Sequence, residues 1–291
     1  MPSLDSLKEN LQKMAKYKMI LGEEYASRAY DNAIKVLVSD QVVHRILDGS
    51  SLPRGIGSGI RDKIIEYYAT GSIKELSELR MDPKVSALEK FETIIGIGPV
   101  NASKFVSQGF LTLESLKGAD LNSMQRIGLE YSGKIMIRIP RDIITCVFEE
   151  IKRNISEDCI ITGSYRRGAK TSGDVDILVS SDTLKANDLN IPGAIDLVSG
   201  PQKRAFLYPL KSGMYVQVDI FISPKNEYIL HLNYSTGSAN HNILLRSKAK
   251  KMGYKLSQHS LSKDDKEILL ESEEELYSLL GLKYVEPEDR V

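Results

Sequence analysis

The sequence predicts an all-helical N-terminal half followed by an α+β half. Two observations divide the chain in this way. Apolar residues recur at helical spacing up to about residue 138, whereas from Cys159 onward short strand-like runs take over. A third observation is chemical. The run GSYRRGAKTSGDVDILV, Gly163 to Val179, ends in two aspartates spaced i and i+2.

In chain order, SLKENLQKMAKYKMILG, EEYASRAYDNAIKVLVS and SGIRDKIIEYYATG each carry the apolar spacing of a helix, and Gly71 suits the C-terminal cap of the third. Residues from about 80 to 138 read as helical again and close at Ile139-Pro140. A long helix, RDIITCVFEEIKRNI, leads into CIITGSYRRG. Strands follow at DVDILVS, IDLVS, RAFLYPL and YVQVDIFI. Beyond Pro224 the pattern is mixed, with a helix around Asn242 to Lys251.

The 291 residues suffice for two or three domains, and a hydrophobic content of 42% supports packed cores. Two cysteines, Cys146 and Cys159, without a CxxC exclude a cysteine zinc site and fit a reducing compartment. The four histidines form no metal motif. No apolar run approaches the ~18 residues of a membrane span, and the polar, helical start MPSLDSLKENLQK is unlike a signal peptide. The formal net charge is zero but unevenly spread: Lys263 to Val291 holds ten acids against four bases, leaving the preceding chain basic. Arg246 to Lys255, RSKAKKMGYK, holds five bases and no acid, which suits either a solvated helix face or a surface that tracks a polyanion backbone.

Two segments echo one another. LPRGIGSGIRDKI (Leu52 to Ile64) and IIGIGPVNASKFV (Ile94 to Val106) both read apolar–Gly–Ile–Gly and then a helix. Gly55, Gly57, Gly96 and Gly98 permit a tight hairpin, and the following helix N-terminus offers free amides to an anion. Such a helix-hairpin-helix holds a nucleic-acid phosphate without reading bases. Hairpin carbonyls of this type also suit a monovalent cation.

On a strand, Asp174 and Asp176 point to one face. Adjacent carboxylates repel unless a cation compensates, and hard oxygen ligands suit magnesium. Asp219, in VQVDIFI, supplies a third acid, and three carboxylates around two metals suit in-line phosphoryl or nucleotidyl transfer. Upstream, Gly163, Ser164, Arg167, Ser172 and Gly173 are the small residues, donors and cation that a phosphate chain needs.

With these motifs in order, the chain resembles a family X DNA polymerase, similar to polymerases beta and lambda, from about Tyr30 to the C-terminus. The resemblance is carried by LPxGIGxxIxxKI with ATG, GIGP, QRIGLEY, RIPR, GSYRRG with SGDVDIL, VDI, YSTGS and YVEPEDR. It implies a lyase-type helical domain over 1–80 and a helical DNA-binding subdomain over 81–138, each with one hairpin. A nucleotidyltransferase-type α+β palm over 139–225 and a small nucleotide-selecting α+β subdomain over 226–291 would follow.

The resemblance makes Asp174, Asp176 and Asp219 the ligands of two Mg2+ ions, with Mn2+ able to serve, and gives Arg138 a contact to the triphosphate. YSTGS, with Tyr234 and Gly237, would lie along the sugar; Asn242 would reach the nucleotide's minor-groove edge and Arg246 the template. Lys63 matches the Schiff-base nucleophile of a 5′-deoxyribose phosphate lyase, and Tyr30 a pocket tyrosine. That amine must be partly neutral, and apolar Ile60, Ile64 and Tyr67 with cationic Arg61 are expected to depress its pKa. Arg166 suits an ion pair as well as a ligand contact.

Four departures stand out. Gln217 replaces an arginine two residues before Asp219, Ser235 replaces an aromatic after Tyr234, and Gln258 replaces an acid. Tyr25, Ala26, Gly59 and Glu75 stand where basic lyase-pocket residues are expected.

The resemblance implies a template-dependent polymerase that fills short gaps in DNA repair, with lyase activity, acting on gapped or nicked DNA and deoxynucleoside triphosphates. A monomer is expected, intracellular and nuclear if eukaryotic, with no membrane association and no N-terminal interaction domain. Two alternatives stand beside it. Template-independent terminal transfer needs a long insertion near the acids, for which Val198 to Asp219 leaves little room. The other is a DNA-end-binding module without catalysis.

Overall fold

A computed structural model describes residues 2–290. The chain divides at Glu130 and Tyr131 into two compact units.

The first unit is helical throughout: α1 (Leu4–Ile20), α2 (Glu24–Val36), α3 (Asp40–Leu47), α4 (Ser58–Thr70), α5 (Lys74–Leu79), α6 (Pro83–Glu92), α7 (Pro99–Ser107), α8 (Leu113–Leu116) and α9 (Ser123–Glu130). Ser3 caps α1 by accepting from the Ser6 amide, and Leu7, Leu11 and Met14 bury one stripe of that helix. Gly71 closes α4 in the left-handed conformation with φ of 79°, as its sequence position implies. One continuous core runs from Leu7 to Leu121, so segments on both sides of residue 80 share it.

The two GIG segments form the same turn twice. Gly55 (φ 100°) and Gly96 (φ 82°) occupy the left-handed region, and Gly57 and Gly98 cap α4 and α7. Between them Ile56 and Ile97 are buried as apolar pins, their amides donating to Pro53 and Ile94 carbonyls. The second hairpin has a further support. The buried Gln125 of α9 donates from Nε2 to the Gly96 carbonyl at 3.1 Å. One turn on, Gly128 lies so close that an added Cβ would stand 2.2 Å from the Ile95 carbonyl oxygen. The QRIG stretch is thus a buttress for the hairpin.

The second unit is built on β1 (Ile139–Pro140), α10 (Arg141–Lys152), β2 (Cys159–Ile161), α11 (Gly163–Arg166), β3 (Thr171–Ser172), β4 (Val175–Ser180), β5 (Ile195–Ser199), β6 (Lys203–Pro209) and β7 (Tyr215–Ser223). Five strands form a sheet in the order β2-β4-β7-β6-β5, parallel only between β4 and β7. α10 packs its apolar stripe of Ile144, Val147, Phe148 and Ile151 into the core that covers this sheet. Residues 134–136, read from the sequence with the helical segment, pair with Tyr215 of β7, which draws the chain from 131 onward into this unit.

The remainder comprises α12 (Tyr228–Thr236), α13 (Ala239–Lys251), the small antiparallel sheet β8 (Tyr254–Leu256), β9 (Leu261–Lys263) and β10 (Lys266–Glu267), and α14 (Glu273–Leu279). It has its own core around Leu230, Leu245, Leu261, Leu276 and Tyr277. Among the described residues no helix is long and apolar enough to cross a membrane.

The Gly128 contact makes a direct prediction. Gly128→Ala must push the Ile95 carbonyl aside, and such overpacking costs about 1–3 kcal/mol. Denaturant unfolding should show that loss, and an unchanged midpoint would refute the buttress.

Candidate active site

The acids are placed by backbone register. β4 and β7 run parallel with Asp176 opposite Asp219, so their side chains share one face of the sheet. Asp174 immediately precedes β4. Asp176 is overlaid by the turn into α11, where Gly163 (φ 60°) would place a Cβ 2.1 Å from Asp176 Oδ2. Only glycine fits there.

Burial and crowding disfavour charge on Asp174 and Asp176. Burial first, then the Asp174 and Asp219 charges, push the Asp176 carboxyl up to about 7. Asp174 is likewise raised, by burial and then by Asp219. Asp219 has found partners: its Oδ2 meets Lys203 Nζ at 2.6 Å, and its Oδ1 accepts from Gln217 Nε2 at 2.9 Å. Lys203, on β6, thus supplies the cation that Gln217 lacks. Among the described residues no three Asp, Glu, His or Cys side chains gather into a metal-holding geometry. The donor set itself, buried carboxylates repelling one another, suits a hard divalent cation.

A cavity of about 740 Å3 opens over these acids. Gly163, Ser164, Arg167, Asp174 and Asp176 line one side, with Tyr234, Gly237, Asn242 and Arg246 also on its wall. Of the other residues expected here, Asp219 adjoins through its register with Asp176, outside the lining. Ser172 is buried and accepts from Ser164 Oγ at 2.7 Å, which positions Ser164. Gly173 does not line the cavity, nor does Arg138, whose guanidinium bonds the carbonyl and hydroxyl of Thr171 across the β1–β3 pair. Sequence reasoning passed over Lys203, Phe221, His231 and Ile243, which also line the cavity. Of these, only Lys203 carried a readable signal, a base that with Arg204 opens an otherwise apolar strand.

The segment from Tyr234 to Ser238 is tied down from two sides. Arg167 donates to the Thr236 carbonyl at 2.6 Å, and Arg166 to the Thr236 hydroxyl at 2.5 Å. Arg166 also pairs with the buried Glu273 at 2.6 Å, and the fully buried Arg290 holds the other Glu273 oxygen at 2.8 Å. Burial alone would raise the Glu273 carboxyl, but hydrogen bonds from both guanidiniums pull it below the ordinary value. On the other side, Asn242 donates to the Tyr234 carbonyl at 2.8 Å, and the Arg246 guanidinium sits 5.2 Å from the Tyr234 ring centre.

In the first unit Lys63 lies on α4, and Tyr30 of α2 is buried. The depressed amine expected at Lys63 is not found. Burial would lower its pKa, but the Glu75 hydrogen bond, reinforced by Tyr30, raises it above the ordinary lysine value. The apolar neighbours are outweighed by an ion pair of 2.7 Å to Glu75 Oε2.

Three family models match the chain: DNA polymerase beta thumb over residues 231–291, the fingers domain of DNA polymerase lambda over 89–135, and DNA polymerase beta palm over 138–210. The chain is 28% identical over 319 residues to DNA polymerase lambda of Rattus norvegicus, covering 97% of itself and 55% of that protein. With DNA polymerase lambda of Arabidopsis thaliana the identity is 29% over 313 residues, covering 93% of the chain and 59% of the relative. DNA nucleotidylexotransferase of Ambystoma mexicanum is 27% identical over 344 residues, with 93% and 66% covered. The chain therefore spans rather more than half the length of these curated relatives.

The Asp176 environment predicts a pH signature. A carboxyl raised from an ordinary 3.8 to about 7 weakens the folded state once ionised, so its penalty develops between these values and persists above them. In chelator, Asp176→Asn should melt higher than the parent at pH 8, with the advantage vanishing below about pH 4. A constant difference across that range would contradict the shift.

Proposed function

We propose that this chain, which belongs to the family X DNA polymerases, is a template-dependent polymerase that fills short DNA gaps by two-metal nucleotidyl transfer and carries a 5′-deoxyribose phosphate lyase. The observation that carries the polymerase reading is the in-register pair Asp176 and Asp219, with Asp174 beside it, under a cavity bordered by Tyr234, Asn242 and Arg246.

Asp174, Asp176 and Asp219 would hold two divalent ions, Mg2+ by the hardness of the donors. Bound there, the ions would supply charge neutralisation for the triphosphate and acidity for the primer 3′-hydroxyl. The protein's own groups do the rest. Ser164 and Arg167 cradle the phosphates, Ser172 holding the Ser164 hydroxyl toward them. The Tyr234–Ser238 backbone forms a wall along the sugar, and Asn242 and Arg246, at i and i+4 on α13, face the nascent base pair. Asp219, whose carboxylate pairs with Lys203 and Gln217, would take up the proton that the primer 3′-hydroxyl loses.

Gly55, Gly57, Gly96 and Gly98 support phosphate contacts to the two flanks of a gap, with a monovalent cation at the hairpin carbonyls. Lys63, with Tyr30 packed beside it, is the lyase nucleophile. Gapped or nicked DNA and deoxynucleoside triphosphates are the substrates, and a monomer in the nucleus is the setting. A terminal transferase is the rival reading, since one relative bears that kind of name. The turn between β6 and β7, closed by Leu210, Gly213 and Met214, leaves little room for the insertion that activity needs.

On a one-nucleotide gap, Asp219→Ala should lower incorporation about a hundredfold or more. Its affinity for DNA should hold, because backbone contacts elsewhere supply it. Activity above a few per cent of the parent would remove Asp219 from the metal set, and incorporation without template would favour the rival.

Arg246→Ala should reduce discrimination against mismatched nucleotides by about ten- to a hundredfold while DNA affinity changes little. Equal losses for matched and mismatched nucleotides would make Arg246 a simple phosphate anchor.

A further inference from the structure

Glu75 is a bridge between two amines. Its Oε2 lies 2.7 Å from Lys63 Nζ on α4, and its Oε1 lies 2.9 Å from Lys18 Nζ on α1. Lys18 also reaches Glu23 at 2.9 Å. The Lys63 and Lys18 side chains are 20% and 12% exposed, so the cluster is partly withdrawn from solvent screening. Facing Lys63 are Glu75 from α5, Tyr30 from α2 and, through Glu75, Lys18 from α1. On its own helix Arg61 is taken up by Asp62, and the α3 acid Asp40 bears on Tyr68 instead.

We infer that Glu75 sets the reactivity of Lys63 by holding it as an ammonium, and that Lys18 is the latent activator held in check by the same carboxylate. The inference rests on the reading of Lys63 as a lyase nucleophile. Imine formation needs the neutral amine. The ammonium must first lose a proton to solvent. The nitrogen lone pair then bonds to the C1′ aldehyde carbon, and the carbonyl oxygen leaves as water. Loss of a C2′ proton and cleavage of the C3′–O bond follow. An ion pair with a carboxylate opposes the first of these events. Without that carboxylate, Lys18 becomes a like-charged neighbour, the arrangement that activates lysine nucleophiles. The raised pKa of Lys63 agrees with the paired state.

Two reagents report on the amine. One is DNA with a gap carrying a 5′-deoxyribose phosphate, trapped with borohydride. The other is pyridoxal 5′-phosphate with borohydride, located by peptide mapping, which reads Lys63 without DNA. Glu75→Gln should speed labelling of Lys63 by about tenfold near pH 7, the factor for one pKa unit. The gain should shrink as pH rises toward about 10, where the amine is neutral in either protein. Lys18→Met should slow labelling, since Glu75 then serves Lys63 alone, and Glu75→Gln with Lys18→Met should lose part of the gain. Gap extension reports that each variant is folded.

Labelling by both reagents that is unchanged or slower in Glu75→Gln overturns the inference and makes Glu75 a structural or proton-accepting group. Faster pyridoxal phosphate labelling with no DNA adduct in any variant supports the role of Glu75 and removes the lyase reading. A DNA adduct at Lys63 whose rate ignores both substitutions keeps the lyase and removes the role of Glu75.

Discussion

Everything in the second unit is arranged around one unfavourable contact, the facing of Asp176 and Asp219 across parallel strands. Beside Asp219 and largely shielded, the Asp176 carboxyl ionises only at a cost. The fold holds them there by register, covers one with a glycine turn and gives the other a lysine. The site thus holds electrostatic tension of the kind that a divalent cation would relieve. Stability and chemistry pull in opposite directions at Asp176.

The first unit depends on glycine in a different way. Gly55 and Gly96 are needed because the hairpin turns through the left-handed region. Gly128 is needed because another backbone comes too near. One kind of glycine announces itself in a repeated motif. The other looks like an ordinary helix interruption in QRIGLEY until its neighbour across space is known.

That contrast explains how much could be read from the sequence. Helices, strands and both hairpins follow from local periodicity and turn residues, and Asp174 and Asp176 share a face by simple alternation. The pairing of Asp176 with Asp219 requires knowing that β4 and β7 are neighbours, 43 positions apart in the chain. Lys203, which pairs with Asp219, lies on an adjacent strand, so a comparison at position 217 alone registers a missing cation where the structure has one beside the acid. The expectation for Lys63 erred for the same reason. Ile60, Ile64 and Tyr67 are its helical neighbours, but Glu75 comes from a different helix and dominates.

Arg290 deserves a practical reading. It is wholly buried, and it shares Glu273 with Arg166, which in turn grips the Thr236 hydroxyl beside the cavity. Arg290 is therefore a keystone for a segment far from it in sequence. A chain trimmed before Arg290 keeps every group that lines the cavity, yet leaves Glu273 with one guanidinium where it had two. Loss of one partner from a buried ion pair costs about 3–5 kcal/mol. Proteolysis that removed Arg290 would blunt the site without touching it.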